Sequence, residues 1–399
     1  MNQAMTNSTT ILNAQIGFLD THLAVIHIPL SAYPLFIQPI LQLLLINNNH
    51  DENGEILESS RPWTYWYPFV NIAVTPNECS IVCPRHQADL LFAPIIERAD
   101  KSATKRVSIS NEDYAAIMIG GEGLEAGQRV TDLTAPLAMA GISIFFITSY
   151  WSDFILVPLK SRPKVIRALE ERGFVFEADG GESGHMTNPA SPMLHAHHRS
   201  HSSPSSYDFP PPPGTPPPRT VSELELRTFK QLNRNHIKPS VDHDIDLVTC
   251  AGVKDSTASS SATNFSLGKL QLGLVKCFTN LTPPRFLSLT LTDIESASIT
   301  LERGLLTLFS NDGEDVLLGK DGPQQIPITL DLSGLPLESS GIVCGVSSKL
   351  INGMKFPMGK DLFNVSYLST AKAGHVIVYE DELQDALRCL ESTQENGVH

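Results

Sequence analysis

The sequence predicts an α+β protein built from four ferredoxin-like βαββαβ units, arranged as two tandem pairs joined by a disordered linker. Three observations lead there. The chain says one thing twice: Ile147-Thr148-Ser149 runs on to Ile155-Leu156-Val157, and Leu368-Ser369-Thr370 runs on, at the same offset, to Val376-Ile377-Val378. Each block reads as strand, short polar turn, strand, after a helix-like stretch opened by Leu124-Glu125 or Leu337-Glu338. Between the copies, Glu177 to Ser222 is rich in Pro, Ser, Gly and His and nearly free of aliphatic residues. Such a composition buries too little apolar surface to offset ordering entropy. Finally, strands and helices alternate in the split βαβ order on both sides of it.

The elements follow from periodicity. Gly17 to Ile28 predicts one or two strands, and the apolar run Tyr33 to Ile46 a core helix too short and interrupted to cross a bilayer. Tyr65 to Val74 and Ser80 to Cys83 read as strands, and Gln87 to Arg98 as a helix. A second unit starts with strand Tyr114 to Ile119 and the loop Gly120-Gly121-Glu122-Gly123. Leu124 to Ala140 has helical spacing at Val130, Leu133 and Leu137, with Pro136 as an objection. Ile142 to Ile147 and Phe154 to Val157 are strands, and Arg162 to Arg172 a closing helix. After the linker, Lys269 to Phe278, Phe286 to Thr292, Ser298 to Leu301 and Ile326 to Leu332 are expected strands. Ser339 to Ile351 is an expected helix, followed by strands Val365 to Leu368 and His375 to Val378 and the helix Glu380 to Leu390. The units therefore span 14–104, 105–176, 241–324 and 325–396, with 177–240 as linker.

The formal net charge of −14 argues against nucleic acid and anionic membranes as partners, since both need a basic face. The six cysteines are scattered, and Cys79 and Cys83 with His86 lack the second ligand pair of a zinc site, so buried thiols in a reducing cytosol are expected. Met1 to Thr10 has no apolar signal core, which also points to the cytoplasm. His195, His197, His198 and His201 read as linker drift instead of a metal tract. No P-loop, dinucleotide fingerprint, nucleophile elbow or kinase signature occurs, so neither catalysis nor a cofactor is implied. The Gly-rich loop before a helix suits a small carboxylate as well as it suits a plain turn. Tyr150-Trp151-Ser152-Asp153 sets aromatic rings in a turn, either as a hot spot for a partner or folded back over a neighbouring unit.

The run from Ile142 to Val157, with Ser143, Ile144 and the Tyr150-Trp151-Ser152-Asp153 turn, resembles the second ACT domain of the CASTOR family of cytosolic arginine sensors upstream of TOR signalling. Ser340-Gly341-Ile342-Val343, Tyr367 to Thr370 and His375 to Val378 resemble that family's fourth ACT domain. The resemblance implies four ACT domains with an amino-acid ligand held between the second and fourth. By position, Ser143 and Ile144 would line the site from one side, and Ser339, Gly341, Ile342, Thr370, Ala371 and Gly374 from the other. Tyr150, Trp151 and Asp153 match the region where the family meets its GATOR partner complex. The family's acidic and aromatic contacts to arginine are replaced here by Ser339, Ala371 and Gly374, with Glu338 one residue away. The ligand is therefore expected to be smaller or less basic than arginine. A small amino acid and a GATOR-like regulatory complex are the implied partners, and a homodimer stays open. The rival expectations are a ligand-free interaction scaffold and a detached regulatory subunit of a biosynthetic enzyme such as aspartate kinase.

Overall fold

A computed structural model describes residues 15–46, 62–99, 106–120, 126–174, 217–253, 260–309, 316–354 and 366–392. The order β-α-β-β occurs four times along it. Unit one has β2 (Leu23–Ile28), α1 (Tyr33–Leu45), β3 (Val70–Val74) and β4 (Cys79–Pro84), then a helical run of α2 (Arg85–Gln87), a π-helical turn (Ala88–Phe92) and α3 (Ala93–Arg98). Strand β1 (Gln15–Phe18) precedes it and β5 (Ser108–Ile109) follows. Unit two has β6 (Tyr114–Gly120), α4 (Ala126–Met139), β7 (Phe145–Thr148), β8 (Asp153–Pro158) and α5 (Arg162–Glu170). Next come α6 (Val221–Arg234) and β9 (Pro239–Val241). Unit three has β10 (Leu247–Gly252), α7 (Ser260–Thr279), β11 (Leu287–Leu291), β12 (Ser298–Glu302) and β13 (Leu317–Leu318), with a 3₁₀ turn at Arg303–Leu308 where the others have a helix. Unit four has β14 (Gln325–Asp331), α8 (Ile342–Gly353), β15 (Ser366–Ser369), β16 (Ala373–Tyr379) and α9 (Leu383–Glu391).

Twelve of these strands close into a ring. The order β6-β8-β7-β15-β16-β14-β10-β12-β11-β3-β4-β2 returns to β6 where Leu23 pairs Tyr114. Closure gives each of these twelve strands a neighbour on both sides, while β1, β5, β9 and β13 branch off the ring. Units do not pair with their sequence neighbours. Unit one joins unit three through β3 and β11 over Val70 to Val74, and unit two joins unit four where Ile147 of β7 pairs Leu368 of β15. Among the described residues the ring strands of tandem neighbours pair only at the corners Leu23–Tyr114 and Leu247–Gln325.

The ring explains the continuous apolar strands. One face of each strand packs on helices, the other on the ring interior, so β4 and β8 are buried at every position. Helices α1 and α7 cover units one and three, while α4, α6, α8 and α9 cover units two and four. Inside the ring lie Phe69, Phe145, Phe154, Phe286, Leu368 and Ile377, with Phe69 and Phe154 rings 5.0 Å apart. Each such ring stabilises the closure by about 1.5–3 kcal/mol.

Three expectations need correction. Lys269 to Phe278 is not a strand but the second half of α7. Leu270, Leu272 and Leu274 mimic a period of two, yet Leu270, Leu274, Cys277 and Phe278 are buried while Leu272 is 48% exposed, which is helical spacing. The linker ends earlier than residue 240, because 217–240 carries α6 and β9. Helix α8 begins at Ile342 and not at Ser339, after Gly341 turns the chain with φ +86°. The His residues at 195–201, the Pro runs at 210–213 and 216, and all of the Gly loop but Gly120 fall outside the described residues. Five of the six cysteines are buried. Burial pushes the thiols of Cys83 and Cys277 up to about 12, far from the reactive thiolate range.

Candidate functional site

The seam between units two and four is built by antiparallel β7 and β15. Its strands are tied by hydroxyls as well as by the ladder: Phe146 N–H donates to Ser369 Oγ (2.9 Å) and Tyr367 N–H to Thr148 Oγ1 (3.1 Å). Because the strands run in opposite directions, the seam has two related ends.

One end gathers the start of β7, the turn between β15 and β16, and the start of α8. Asp331, the last residue of β14, pairs Ala373, so the chain leaves β14 for α8 at this same end. Ser143, Ile144, Ser339, Gly341, Ile342, Thr370, Ala371 and Gly374 thus converge by topology, while Glu338 is exposed beside them. Gly341 holds a left-handed conformation that other residues adopt only at a cost of about 1–2 kcal/mol. Gly374 has a steric reason as well: a Cβ there would lie 2.4 Å from the Tyr367 hydroxyl. That hydroxyl is buried and finds no hydrogen-bond partner among the described residues, and burial pushes its pKa up.

Helix α6 lies directly over this end. Its start is capped from both sides: Thr220 Oγ1 accepts from Glu223 N–H (3.1 Å), and Glu223 Oε2 accepts from the N–H of Arg219, the residue before the cap (2.9 Å). Thr228 Oγ1 donates to Gly341 O (3.1 Å), and Gln231 Nε2 donates to Ser339 Oγ (3.4 Å). A Cβ on Gly341 would stand 2.8 Å from Leu224 Cδ1, and one on Gly345 2.5 Å from Thr228 Oγ1. Buried Ser348 donates to Glu225 (2.9 Å), and Lys349 Nζ sits 3.9 Å over the Phe229 ring. Nothing singled out in the sequence pointed to Leu224, Thr228 or Gln231. The signal was present as Thr220-Val221-Ser222-Glu223 followed by Leu224, Thr228 and Leu232 at four-residue spacing.

The two hairpin turns of the seam reach across the ring in the same manner. Ala371 N–H donates to Ser80 Oγ (3.1 Å) and Lys372 N–H to Glu78 Oε1 (2.6 Å) in unit one. Tyr150 N–H donates to Ser298 Oγ (2.7 Å), and Ser152 Oγ to Glu295, in unit three. The internal duplication is therefore physical: each hairpin is anchored by a serine and a glutamate of the opposite sheet. Fully buried Glu78 also meets His27 Nδ1. Ala371 consequently faces unit one and is spent on this anchor.

At the second end the predicted partner residues divide. Trp151 is 48% exposed and Tyr150 38%, their rings edge to face at 4.8 Å. Asp153 is corrected: it is 2% exposed, beneath α4, with its carboxylate 2.8 Å from Arg129 Nε. Burial raises its pKa, opposed by Arg129 and Thr148. It holds the turn in place and offers no surface. Tyr150 folds onto Gly319, where φ is +80° and a Cβ would come within 2.7 Å of its ring. A cavity of about 320 Å³ opens beneath this turn, bounded by units two, three and four.

Residues 109–171, which coincide with unit two, match the family model of the ACT domain. The chain carries an ACT domain. No curated protein matches the chain. Among solved structures, aspartate kinase from Synechocystis aligns with 98% of this chain at 12% identity and TM-score 0.31, and the chain spans 57% of that enzyme. The protein Atu0741 from Agrobacterium tumefaciens aligns over 43% of this chain and 96% of its own at 19% identity and TM-score 0.26. The ligand-free regulatory subunit of aspartate kinase from Thermus thermophilus aligns over 39% and 95% at 14% identity and TM-score 0.27. Among the described residues no helix is long and apolar enough to cross a membrane.

Proposed function

We propose that the chain is a non-catalytic, cytoplasmic regulatory protein in which all four units act as ACT domains and the seam of units two and four binds a small amino acid. In this reading it is a CASTOR-like nutrient sensor linked to TOR signalling, and Trp151 and Tyr150 meet a GATOR-like partner. One observation carries the proposal: α6 is packed on the N-terminal turn of α8 through Leu224 and Thr228. A ligand whose carboxylate takes the N–H groups of that turn must displace these side chains, so occupancy becomes a movement of α6. A ligand can shift α6 only by its differential affinity for the displaced state. Ala371 carries no acid and Glu338 is exposed, so neither supplies a buried carboxylate for a guanidinium, in keeping with a ligand less basic than arginine.

Calorimetry of the full chain against the proteinogenic amino acids tests this. Saturable binding of at least one is expected. Leu224→Ala should tighten it several-fold, because closure of α6 then competes less. A chain that binds none of them would be a ligand-free interaction scaffold.

A further inference from the structure

We infer that the cavity beneath the Tyr150–Ser152 turn is a second small-molecule site, and that it takes an anionic metabolite of amino-acid size. It shares no residue with the α8 end of the seam, so it stands apart from the site proposed above. Its volume of about 320 Å³ falls at the lower limit of small-ligand pockets.

The wall sets the chemistry. Arg129 is the one charged side chain among the described lining residues. Its ion pair with Asp153 runs through Nε at 2.8 Å, and the side chain is 21% exposed where it lines the cavity. Asp153 itself is not part of the lining. Gln325 adds a second donor: its Oε1 already accepts from Thr249 Oγ1 (2.9 Å), which leaves the Nε2 end to donate. Thr249 and Thr300 share a hydroxyl contact at 3.1 Å, so they are satisfied without a ligand and can turn toward one. A guanidinium edge, an amide donor and hydroxyls, with no lining carboxylate, select an anion with further polar groups. Tyr150 and Trp151 form the roof, so an occupant lies directly under the exposed aromatic turn. Filling the cavity would fix the rings that face solvent.

The test uses the full chain with L-glutamate, L-aspartate and succinate as probes, and putrescine and sodium chloride at matched ionic strength as controls. Saturable heat of binding is expected for at least one probe and for neither control. Trp151 lines the cavity, so its fluorescence should change on binding, and Trp151→Phe should abolish that signal while the heat remains. Arg129→Gln should weaken binding by about tenfold or more, since it removes a charge-assisted contact. If Arg129→Gln unfolds the chain by leaving the buried Asp153 carboxylate unpaired, Ser366→Phe on the opposite wall decides, because it fills the cavity without touching that pair. Absence of saturable binding by all three probes would overturn the inference, as would binding unaltered in Ser366→Phe. Failure here leaves neutral amino-acid binding at the α8 end untouched. Failure there, shown by a loss confined to leucine-like ligands and by no effect of Leu224→Ala, leaves this site standing.

Discussion

The two ends of the seam are built from the same hairpin and have opposite fates. At one end α6 packs Leu224 and Thr228 onto Gly341 and Gly345, and the space is filled. At the other end no such helix lies across among the described residues, and Tyr150 spans a cavity of about 320 Å³. Both hairpins are anchored alike, to Ser80 and Glu78 or to Ser298 and Glu295. The repeated strands therefore set the scaffold, and what differs is the segment laid across each end. A duplicated fold need not give duplicated sites.

Substitutions can break that contrast. The largest effect is expected at the open end. Asp153→Ala leaves Arg129, only 21% exposed, without its carboxylate, and should destabilise the chain by about 2–3 kcal/mol in urea unfolding. A change under 0.5 kcal/mol would show that the pair is solvated and the turn held otherwise.

Gly345→Ala is the counterpart at the closed end. Its Cβ would meet Thr228 at 2.5–2.8 Å, so α6 must shift, at about 1–3 kcal/mol. Hydrogen exchange should rise in Val221–Arg234 and stay unchanged at Ser149–Ser152. Equal change at both would mean the ends are one cooperative unit.

The ring between the two ends has its own pH signature. His375 is fully buried against Phe286, its Nδ1 3.0 Å from Thr329 Oγ1, and burial lowers its pKa to about 3. The neutral ring is the form the fold accepts, so its contribution is complete above the unfolded value near 6.5 and is lost as pH falls from there toward 3. Between pH 7.5 and 5 the loss should be about 2 kcal/mol, and His375→Gln should remove that part of the pH dependence. A His375→Gln chain with the same pH profile would place the titration elsewhere.

The smallest effect sharpens the comparison most locally. Thr228→Val keeps shape but removes the hydroxyl that donates to Gly341 O, and should cost about 0.5–1.5 kcal/mol. It should loosen α6 alone.

Much of this was legible in the sequence. The strand-turn-strand blocks of units two and four and most of the core helices follow from apolar periodicity and the repeat, whereas the pairing of Ser143 with Gly341 was implied only by the family resemblance. The ring was not legible, because which strand edges pair across a long insertion is decided by closure and not by local pattern. Leu270, Leu272 and Leu274 misled because alternation over five residues fits strand and helix equally until burial is known. Helix α6 was hidden by the Pro-rich composition before it, although Thr220 and Glu223 marked its start. Asp153 looked like surface because a charged residue beside an exposed Trp usually is, and only the position of Arg129 on α4 shows the pair.

The seam reading turns on α6. Hydrogen exchange across Val221–Arg234 in the full chain, with and without a saturating amino acid found by calorimetry, tests it most directly. Faster exchange there on binding, with slower exchange at Ile342–Gly353 and Phe145–Thr148, is the expected result. Binding that leaves α6 exchange unchanged would contradict it, because a ligand at the start of α8 cannot coexist with Leu224 and Thr228 in their present places.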